Sequence, residues 1–242
     1  MTPPTFASIR DAVQEAVKKG GLTPHQLAAL TAHDASLSDA QRRQFTELWR
    51  AQGSPAAPPP AFTNKPTNPL TGFPWFPQLD NGPEGWRQCQ SSSVAMCLAY
   101  LGAGNIRDDV DYLRIVERFG DTTSQTAHQQ ALASLGVRAR FVTNCTAAQL
   151  QAEIRSGLPA AIGHLHHGPV SAPSGGGHWI ACYGFDSRSW IVNDPFGELD
   201  LVSGTWARQG GNSGRGQHYS YRNLNPRWLA EGAASGWAWL FS

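Results

Sequence analysis

Cys89 is the first candidate for chemistry, because it stands where a loop is predicted to turn into a helix. From Ser91 onward, apolar residues recur at helical spacings of three and four: Val94, Cys97, Leu98 and Leu101. The unpaired N–H groups of a helix start, together with the positive end of the helix dipole, favour the thiolate form of a cysteine. Cys89 is therefore a candidate nucleophile, weighed against burial as a small structural residue.

A second informative stretch, residues 177–197, supplies an imidazole and a carboxylate. Its two apolar runs flank a turn built from Asp186 and Ser187, which is typical of a β-hairpin. A turn centred on Asp186 predicts three facing pairs: Cys182 with Trp190, Ile180 with Val192, and His178 with Asp194. Directly opposed residues share one face of the sheet, with Cβ atoms about 5 Å apart. Asp194 is therefore predicted to hold the imidazole of His178.

Cys89, His178 and Asp194 together match the requirements of acyl transfer by a thiol. That chemistry needs a thiolate, an imidazole that shares and returns a proton, and a group that fixes the imidazole's tautomer. The tetrahedral intermediate also needs hydrogen-bond donors for its oxyanion. The backbone N–H of Cys89 and the side-chain amide of Gln78 are the candidates.

The elements that must position these residues mix helices and strands. Periodicity predicts helices at 110–119, 127–135 and 147–154 and strands at 137–142, 160–166 and 237–241. The fold class predicted for residues 73–242 is α+β, with a helical lobe packed on an antiparallel β-sheet.

The first 72 residues have a different character. Residues 1–50 are predicted to form a small bundle of three amphipathic helices, two of which open with capping boxes at Thr23 and Ser38. Residues 51–72 follow as a proline-rich linker, and the main domain spans 73–242. The helical module is a candidate for docking a partner or a cell wall, and equally a simple structural extension.

Composition excludes several classes of function. The net charge of +1 comes from 19 basic and 18 acidic residues mixed along the chain, so neither nucleic acid nor a membrane surface is an expected partner. The four cysteines form no disulfide framework, and no metal or cofactor site is predicted. The N-terminus lacks the apolar run of a signal peptide, which predicts cytoplasmic synthesis.

These motifs resemble those of the C39-like cysteine peptidases, a branch of the papain-like superfamily. The resemblance covers roughly residues 73–242. It rests on Gln78, Cys89 with Ser92 and Ala95-Met96, Gly177-His178, Tyr183-Gly184, Asn193-Asp194-Pro195 and Gly197. It implies a papain-like fold and the catalytic set Cys89, His178 and Asp194, with Gln78 in the oxyanion hole.

The chain departs from the family pattern in two places. Many members have Asp-Cys-Gly-Pro at the nucleophile, where this chain has Gln88-Cys89-Gln90-Ser91. Gln78 lies farther upstream of Cys89 than is common, so Gln88 is a rival oxyanion donor. The branch that cleaves leader peptides is usually fused to a membrane transporter. A tryptophan-rich version without one looks more like a wall-lytic enzyme of a phage or bacterium, an endolysin that cleaves peptidoglycan peptides and is released to the wall or carried in the virion.

Alternatives remain open at this point. A protein-processing peptidase or a transglutaminase-like acyltransferase would use the same three residues, and a virion or binding protein could retain the fold without turnover. His164, His166 and His167 cluster without an acidic or thiolate partner in register, so zinc binding is the minor interpretation. Cys97 and Cys182 are predicted to be core residues, and His128 and His218 suggest no role.

Overall fold

The computed structural model describes residues 67–242, so the predicted helical module and most of the predicted linker lie outside the described residues. Five α-helices occur in the described part: α1 (Cys89–Leu101), α2 (Asp109–Val116), α3 (Gln125–Ser134), α4 (Ala147–Arg155) and α5 (Tyr221–Trp228). Eight strands accompany them: β1 (Ala139–Cys145), β2 (Ala160–His164), β3 (His178–Phe185), β4 (Ser189–Asn193), β5 (Gly197–Asp200), β6 (Thr205–Gln209), β7 (Gln217–Ser220) and β8 (Gly236–Phe241).

A six-stranded antiparallel sheet forms the centre of the fold, in the order β1-β8-β2-β3-β4-β7. Strands β5 and β6 pair separately as a two-stranded ribbon. The C-terminal strand β8 lies between β1 and β2, and therefore completes the sheet from the far end of the sequence. The predicted α+β class, with helices packed on an antiparallel sheet, is confirmed.

Helix α1 is almost wholly buried, because it packs against the centre of the sheet. Val94 and Leu98 belong to the same hydrophobic cluster as Trp179 and Ala181 of β3. The helix ends at Gly102, whose φ of 63° is a left-handed conformation that glycine adopts at little cost. The residue that begins this helix is thus held by a rigid, buried element.

The other face of the sheet is covered as well. Ile180 and Cys182, which alternate with Trp179 and Ala181 along β3, cluster with Leu150 of α4 and Leu224 of α5. Helices therefore lie on both faces of the sheet. Strand β3, buried on both sides, is a firm support for the residue at its start, His178.

The hairpin forms, but with a register that differs from the predicted one. Cys182 pairs with Val192, not with Trp190, and Phe185 pairs with Trp190. The turn runs from Asp186 to Ser189 and is therefore centred beyond Asp186, and a β-bulge interrupts the pairing near Gly184. The predicted register was wrong because the turn takes more residues on its C-terminal side than a turn centred on Asp186 allows.

Residues 67–72, which the sequence assigned to the linker, pack on the main domain. Leu70 is buried, and its N–H donates to the carbonyl of Tyr183 at 2.9 Å. The side chain of Asn68 bonds the backbone N–H and carbonyl of Phe185, each at 2.9 Å. Among residues 67–242, no helix is both long enough and apolar enough to span a bilayer.

Candidate active site

Cys89 is the first residue of α1 and follows a 3-10 turn, Gly85–Arg87. The turn fits only because residue 85 is glycine: a Cβ there would lie 2.3 Å from the carbonyl oxygen of Gln78. The first N–H groups of a helix have no acceptor within the helix. Cys89 therefore combines a thiol with backbone donors at one point. It is half-buried, whereas the other three cysteines, Cys97, Cys145 and Cys182, are buried.

His178 begins β3 and contacts the carboxylate of Asp194, which follows β4. Nε2 of His178 donates to Oδ1 of Asp194 at 2.7 Å. The expected contact is formed even though the predicted facing pair is not. The observed register, continued by one residue beyond β4, sets Asp194 across from Ile180, so His178 is its diagonal neighbour on the same face. An error of two residues in the register leaves the face of the sheet unchanged.

Asp194 has no exposed surface, and three donors satisfy its two oxygens. Oδ1 also accepts from the N–H of Phe196 at 3.2 Å, and Oδ2 accepts from the hydroxyl of Tyr219 at 2.9 Å. The Tyr219 oxygen in turn accepts from the N–H of Leu199 at 2.9 Å, so its own proton is directed to Asp194. The carboxylate is therefore fixed from both sides.

Tyr219 is a site residue that the sequence did not reveal. It lies on β7, 25 positions beyond Asp194, and nothing in its local sequence distinguishes it from other aromatic residues of the tail. Only the order of strands in the sheet, with β7 beside β4, brings its hydroxyl to the carboxylate.

Cys89 also affects the protonation of the His178 imidazole. Burial alone would lower the pKa of His178, but the charge and hydrogen bond of Asp194, joined by a side-chain hydrogen bond and the charge of Cys89, raise that pKa to about 10. Because Nε2 is bonded to Asp194, Nδ1 is the ring nitrogen left for the sulfur. Asp194 and Cys89 together therefore favour the protonated imidazole at neutral pH.

Neither glutamine proposed as an oxyanion donor lines the cleft beside Cys89. Gln78 is fully buried; its Nε2 donates to the carbonyl of Gly85 at 2.8 Å, and its backbone N–H donates to the carbonyl of Pro195 at 2.9 Å. It therefore ties the turn before Cys89 to the loop after Asp194. Gln88 is buried too, and its Oε1 has no partner within residues 67–242.

A buried carboxylate anchors the start of α1 to its surroundings. Asp109 accepts hydrogen bonds from the hydroxyl of Ser92 and, at 2.8 Å, from the amide of Asn81. Burial raises the pKa of Asp109, and the two hydrogen bonds oppose that rise. Ser92, one of the motif residues, thus joins α1 to α2.

The remaining cysteines and histidines differ from Cys89 and His178. Burial raises the pKa of Cys97, of Cys145 to about 11, and of Cys182, which keeps these thiols protonated. His128 is a buried structural residue that bonds Tyr112 and the carbonyl of Thr122. Among the described residues, no group of three His, Cys, Asp or Glu side chains is arranged to hold a metal ion.

The cysteine and the histidine open onto a cleft of about 460 Å³. Aromatic side chains form much of its wall: Trp86, Trp179, Phe196, Trp206 and Trp237. Two of them are unusually exposed for their size, Trp86 at 63% and Trp237 at 43%. Gln90 and Gln125 also line the cleft and bond each other reciprocally through their amides. The cleft is large enough for several residues of a peptide.

Two comparisons show which known proteins the chain resembles. The family model described as the Peptidase_C39 like family matches residues 70–211, more than half of the chain. The chain therefore belongs to that family, and the resemblance seen in the motifs is confirmed. A candidate C39-like peptidase from Bacillus anthracis, known from a crystal structure, is 16% identical over 72% of this chain and 96% of that chain, with a TM-score of 0.48. No curated protein sequence matches the chain.

Proposed function

We propose that the protein is a cysteine peptidase in which Cys89 is the nucleophile, His178 the general acid and base, and Asp194 the residue that orients the imidazole. One observation supports this most directly. Nε2 of His178 is bound to the carboxylate of Asp194, which leaves Nδ1 free, and His178 lines the same open cleft as Cys89. Family membership supplies the reaction class, hydrolysis of a peptide bond.

The proposed reaction has two steps. Sγ of Cys89 attacks the carbonyl carbon of the scissile amide, and the C–N bond breaks as the proton on His178 passes to the leaving nitrogen. A thioester remains on Cys89. Water then attacks this thioester, giving its proton to His178; the S–C bond breaks, and the acid product leaves with the thiolate and imidazolium restored.

The oxyanion formed in each step lies at the start of α1. We assign the first donor to the backbone N–H of Cys89, since the positive end of a helix dipole also favours negative charge there. Gln78 is the side-chain donor that the family resemblance implies; its amide does not line the cleft, so it would have to reach the oxyanion with the N–H that Gly85 leaves free. Gln88, adjacent to the nucleophile, is the rival.

The proposed substrate is a stem or bridge peptide of peptidoglycan, and the proposed role is that of a wall-lytic enzyme. The exposed faces of Trp86 and Trp237 at the cleft support an extended substrate, since exposed tryptophans can stack on sugar rings or on flat peptide groups. A protein substrate is the competing interpretation.

Purified peptidoglycan tests the proposal. We expect the full-length protein to release new free amines, which are quantified by fluorescamine, and to release none when Cys89→Ala replaces it. Cys145→Ala, which removes a buried cysteine outside the cleft, is the matched control and should keep full activity. Equal release by the wild type and by Cys89→Ala would refute the peptidase assignment for this substrate.

Two variations of the experiment separate the other candidates. An added primary amine, followed by mass spectrometry, should yield hydrolysed ends and no amine adducts; dominant adducts would identify an acyltransferase. Denatured casein replaces peptidoglycan in a second reaction. If the wild-type protein cleaves casein and leaves peptidoglycan intact, it is a protein-processing peptidase. If it cleaves neither substrate, it is an inactive binding protein.

A further inference from the structure

The cleft beside Cys89 has an unequal charge distribution. Arg87 is the one permanently charged residue among the described residues that line it, and no aspartate or glutamate is among them. Of the histidines in the lining, His178 is held protonated, whereas burial lowers the pKa of His166 to about 4 and keeps that imidazole neutral. The lining therefore combines a net positive charge with aromatic and amide surfaces.

Arg87 stands two residues before Cys89, at the end of the 3-10 turn. About a third of its side chain is exposed. Nη2 donates to Oδ1 of Asp121 at 3.0 Å, and the guanidinium lies 5.9 Å from the centre of the Trp86 ring. The turn, the carboxylate and the indole thus hold the guanidinium in a defined place near the nucleophile.

The pairing with Asp121 leaves most of the hydrogen-bonding capacity of Arg87 available. A guanidinium has five N–H donors, and a single one of them is engaged with an acceptor in the described part of the chain. Oδ1 of Asp121 also accepts from the backbone N–H and the hydroxyl of Thr123, at 2.8 and 2.6 Å, so its negative charge is shared among three donors. Asp121 therefore orients the guanidinium of Arg87 and leaves most of its N–H groups free to bind a ligand.

A guanidinium with free N–H groups is suited to a carboxylate, which it can bind through two parallel hydrogen bonds. A cationic substrate would meet repulsion from Arg87 and no compensating carboxylate in the lining described above. Stem peptides of peptidoglycan contain free carboxylates, which a guanidinium of this kind can bind.

We propose that the cleft selects peptides with a carboxylate within a few residues of the scissile bond, and that Arg87 is the specificity-determining residue that binds it. This inference rests on the proposed function, because it names the substrate class of the same site. Arg87 acts on substrate affinity; the chemical step belongs to Cys89 and His178.

A paired peptide library tests the inference with the full-length protein. Each hexapeptide is present in two versions, which differ by Glu or Gln at one position, and the products are quantified by mass spectrometry. We expect at least a tenfold preference in kcat/KM for Glu over Gln at one position near the cleaved bond. Arg87→Gln should abolish the preference by raising KM for the Glu version, with the Gln version unaffected, and Arg87→Lys should restore part of it.

Arg114→Gln is the matched control, because Arg114 lines a separate groove away from Cys89 and its loss changes the net charge equally. It should retain the full preference, and a melting curve checks that each variant folds. Equal cleavage of both versions by the wild type would overturn the inference, as would a preference that persists in Arg87→Gln.

Binding separates this inference from the proposed function. Calorimetry with Cys89→Ala measures affinity without turnover, and tighter binding of the Glu version that vanishes in the Cys89→Ala, Arg87→Gln double variant supports the carboxylate site alone. Hydrolysis of both versions at equal rates would preserve the peptidase and end the charge inference. If the protein binds the Glu version more tightly but the wild type hydrolyses neither version, the charge inference stands and the peptidase assignment fails.

Discussion

The hydroxyl of Tyr219 donates a hydrogen bond to Oδ2 of Asp194 at 2.9 Å, while its oxygen accepts from the backbone N–H of Leu199. The tyrosine therefore has a fixed orientation, and the carboxylate has a fixed donor on the side away from His178. This contact joins three parts of the sheet region: β7 supplies the tyrosine, the end of β4 supplies the carboxylate, and β5 supplies the N–H.

Tyr219→Phe should lower kcat/KM roughly tenfold to a hundredfold, because a hydrogen bond to a charged group is worth about 1.5–3 kcal/mol. The loss should fall on kcat, since Tyr219 orients Asp194 and does not line the cleft. Tyr221→Phe is the control: that hydroxyl donates to the carbonyl of Asp186, at the far end of the hairpin. Similar melting temperatures for the two variants with unequal kcat would support the positioning role; equal kcat would contradict it.

The alkaline limb of the pH profile should report His178. Its pKa is raised from 6.5 to about 10, so the imidazolium persists through neutral pH and kcat/KM for peptide hydrolysis should decline only as the pH approaches 10. Asp194→Asn removes the negative charge and should move this limb toward lower pH, with kcat/KM lower overall by roughly a hundredfold or more.

The free energy of unfolding should also depend on the protonation of His178. A pKa that is raised in the folded state stabilises the fold fully below the ordinary value of 6.5, and the stabilisation disappears as the pH rises through about 10.

Asp186→Asn is the control for the activity profile. It removes a surface carboxylate that is paired with His218, and it should leave the alkaline limb of kcat/KM in place. An unchanged limb in Asp194→Asn would show that Asp194 does not hold the imidazolium.

Thiol labelling should distinguish Cys89 from the other cysteines. Iodoacetamide at neutral pH is expected to modify Cys89 alone in the native protein, since burial both shields Cys97, Cys145 and Cys182 and raises their pKa values. His178→Gln should slow the labelling at least tenfold, because it removes the positive charge of the His178 imidazolium, which favours a thiolate beside it. Peptide mapping after a timed reaction provides the measurement, and comparable labelling of Cys145 would contradict the expectation.

Much of this site could be predicted from the sequence because its parts lie on strongly periodic elements. Cys89 precedes a run with helical spacing, and His178 and Asp194 bracket a hairpin. The register could not be predicted, since the length of the turn and the bulge near Gly184 depend on tertiary contacts: a Cβ at Gly184 would lie 2.5 Å from Cβ of Pro69. The predicted face of the sheet for His178 and Asp194 was still correct, because a register error of two residues does not change the face.

Some residues contact Asp194 only because of the order of strands in the sheet, and these contacts could not be predicted from the sequence. Tyr219 is an example, and Gly214 is another, since no local pattern links either of them to Asp194. The N–H of Asp194 donates to the carbonyl of Gly214 at 2.8 Å, in a segment between β6 and β7. Such contacts follow from the packing of whole elements, which local propensity does not encode.

Gly214 offers a test of how closely the backbone must approach the site. A Cβ at this position would lie 1.9 Å from the carbonyl oxygen of Asp194, so Gly214→Ala must displace one of the two segments. We expect kcat to fall at least tenfold, with a lower melting temperature. Gly176→Ala is the control, since Gly176 lines the cleft and a Cβ there meets nothing within 4 Å. Loss of activity in the control alone would refute the prediction.

The oxyanion donor can be identified by separating thiolate chemistry from oxyanion chemistry. Gln78→Ala should lower kcat by roughly a hundredfold to a thousandfold if its free amide N–H binds the oxyanion, whereas Gln88→Ala should have little effect. A peptide aldehyde, which forms a tetrahedral adduct on the cysteine, should lose affinity by a similar factor. Alkylation of Cys89 by iodoacetamide involves no oxyanion and should keep its rate in Gln78→Ala. If alkylation slows as much as hydrolysis does, Gln78 acts only through its bonds to Gly85 and Pro195, by holding the start of α1 against the loop after Asp194.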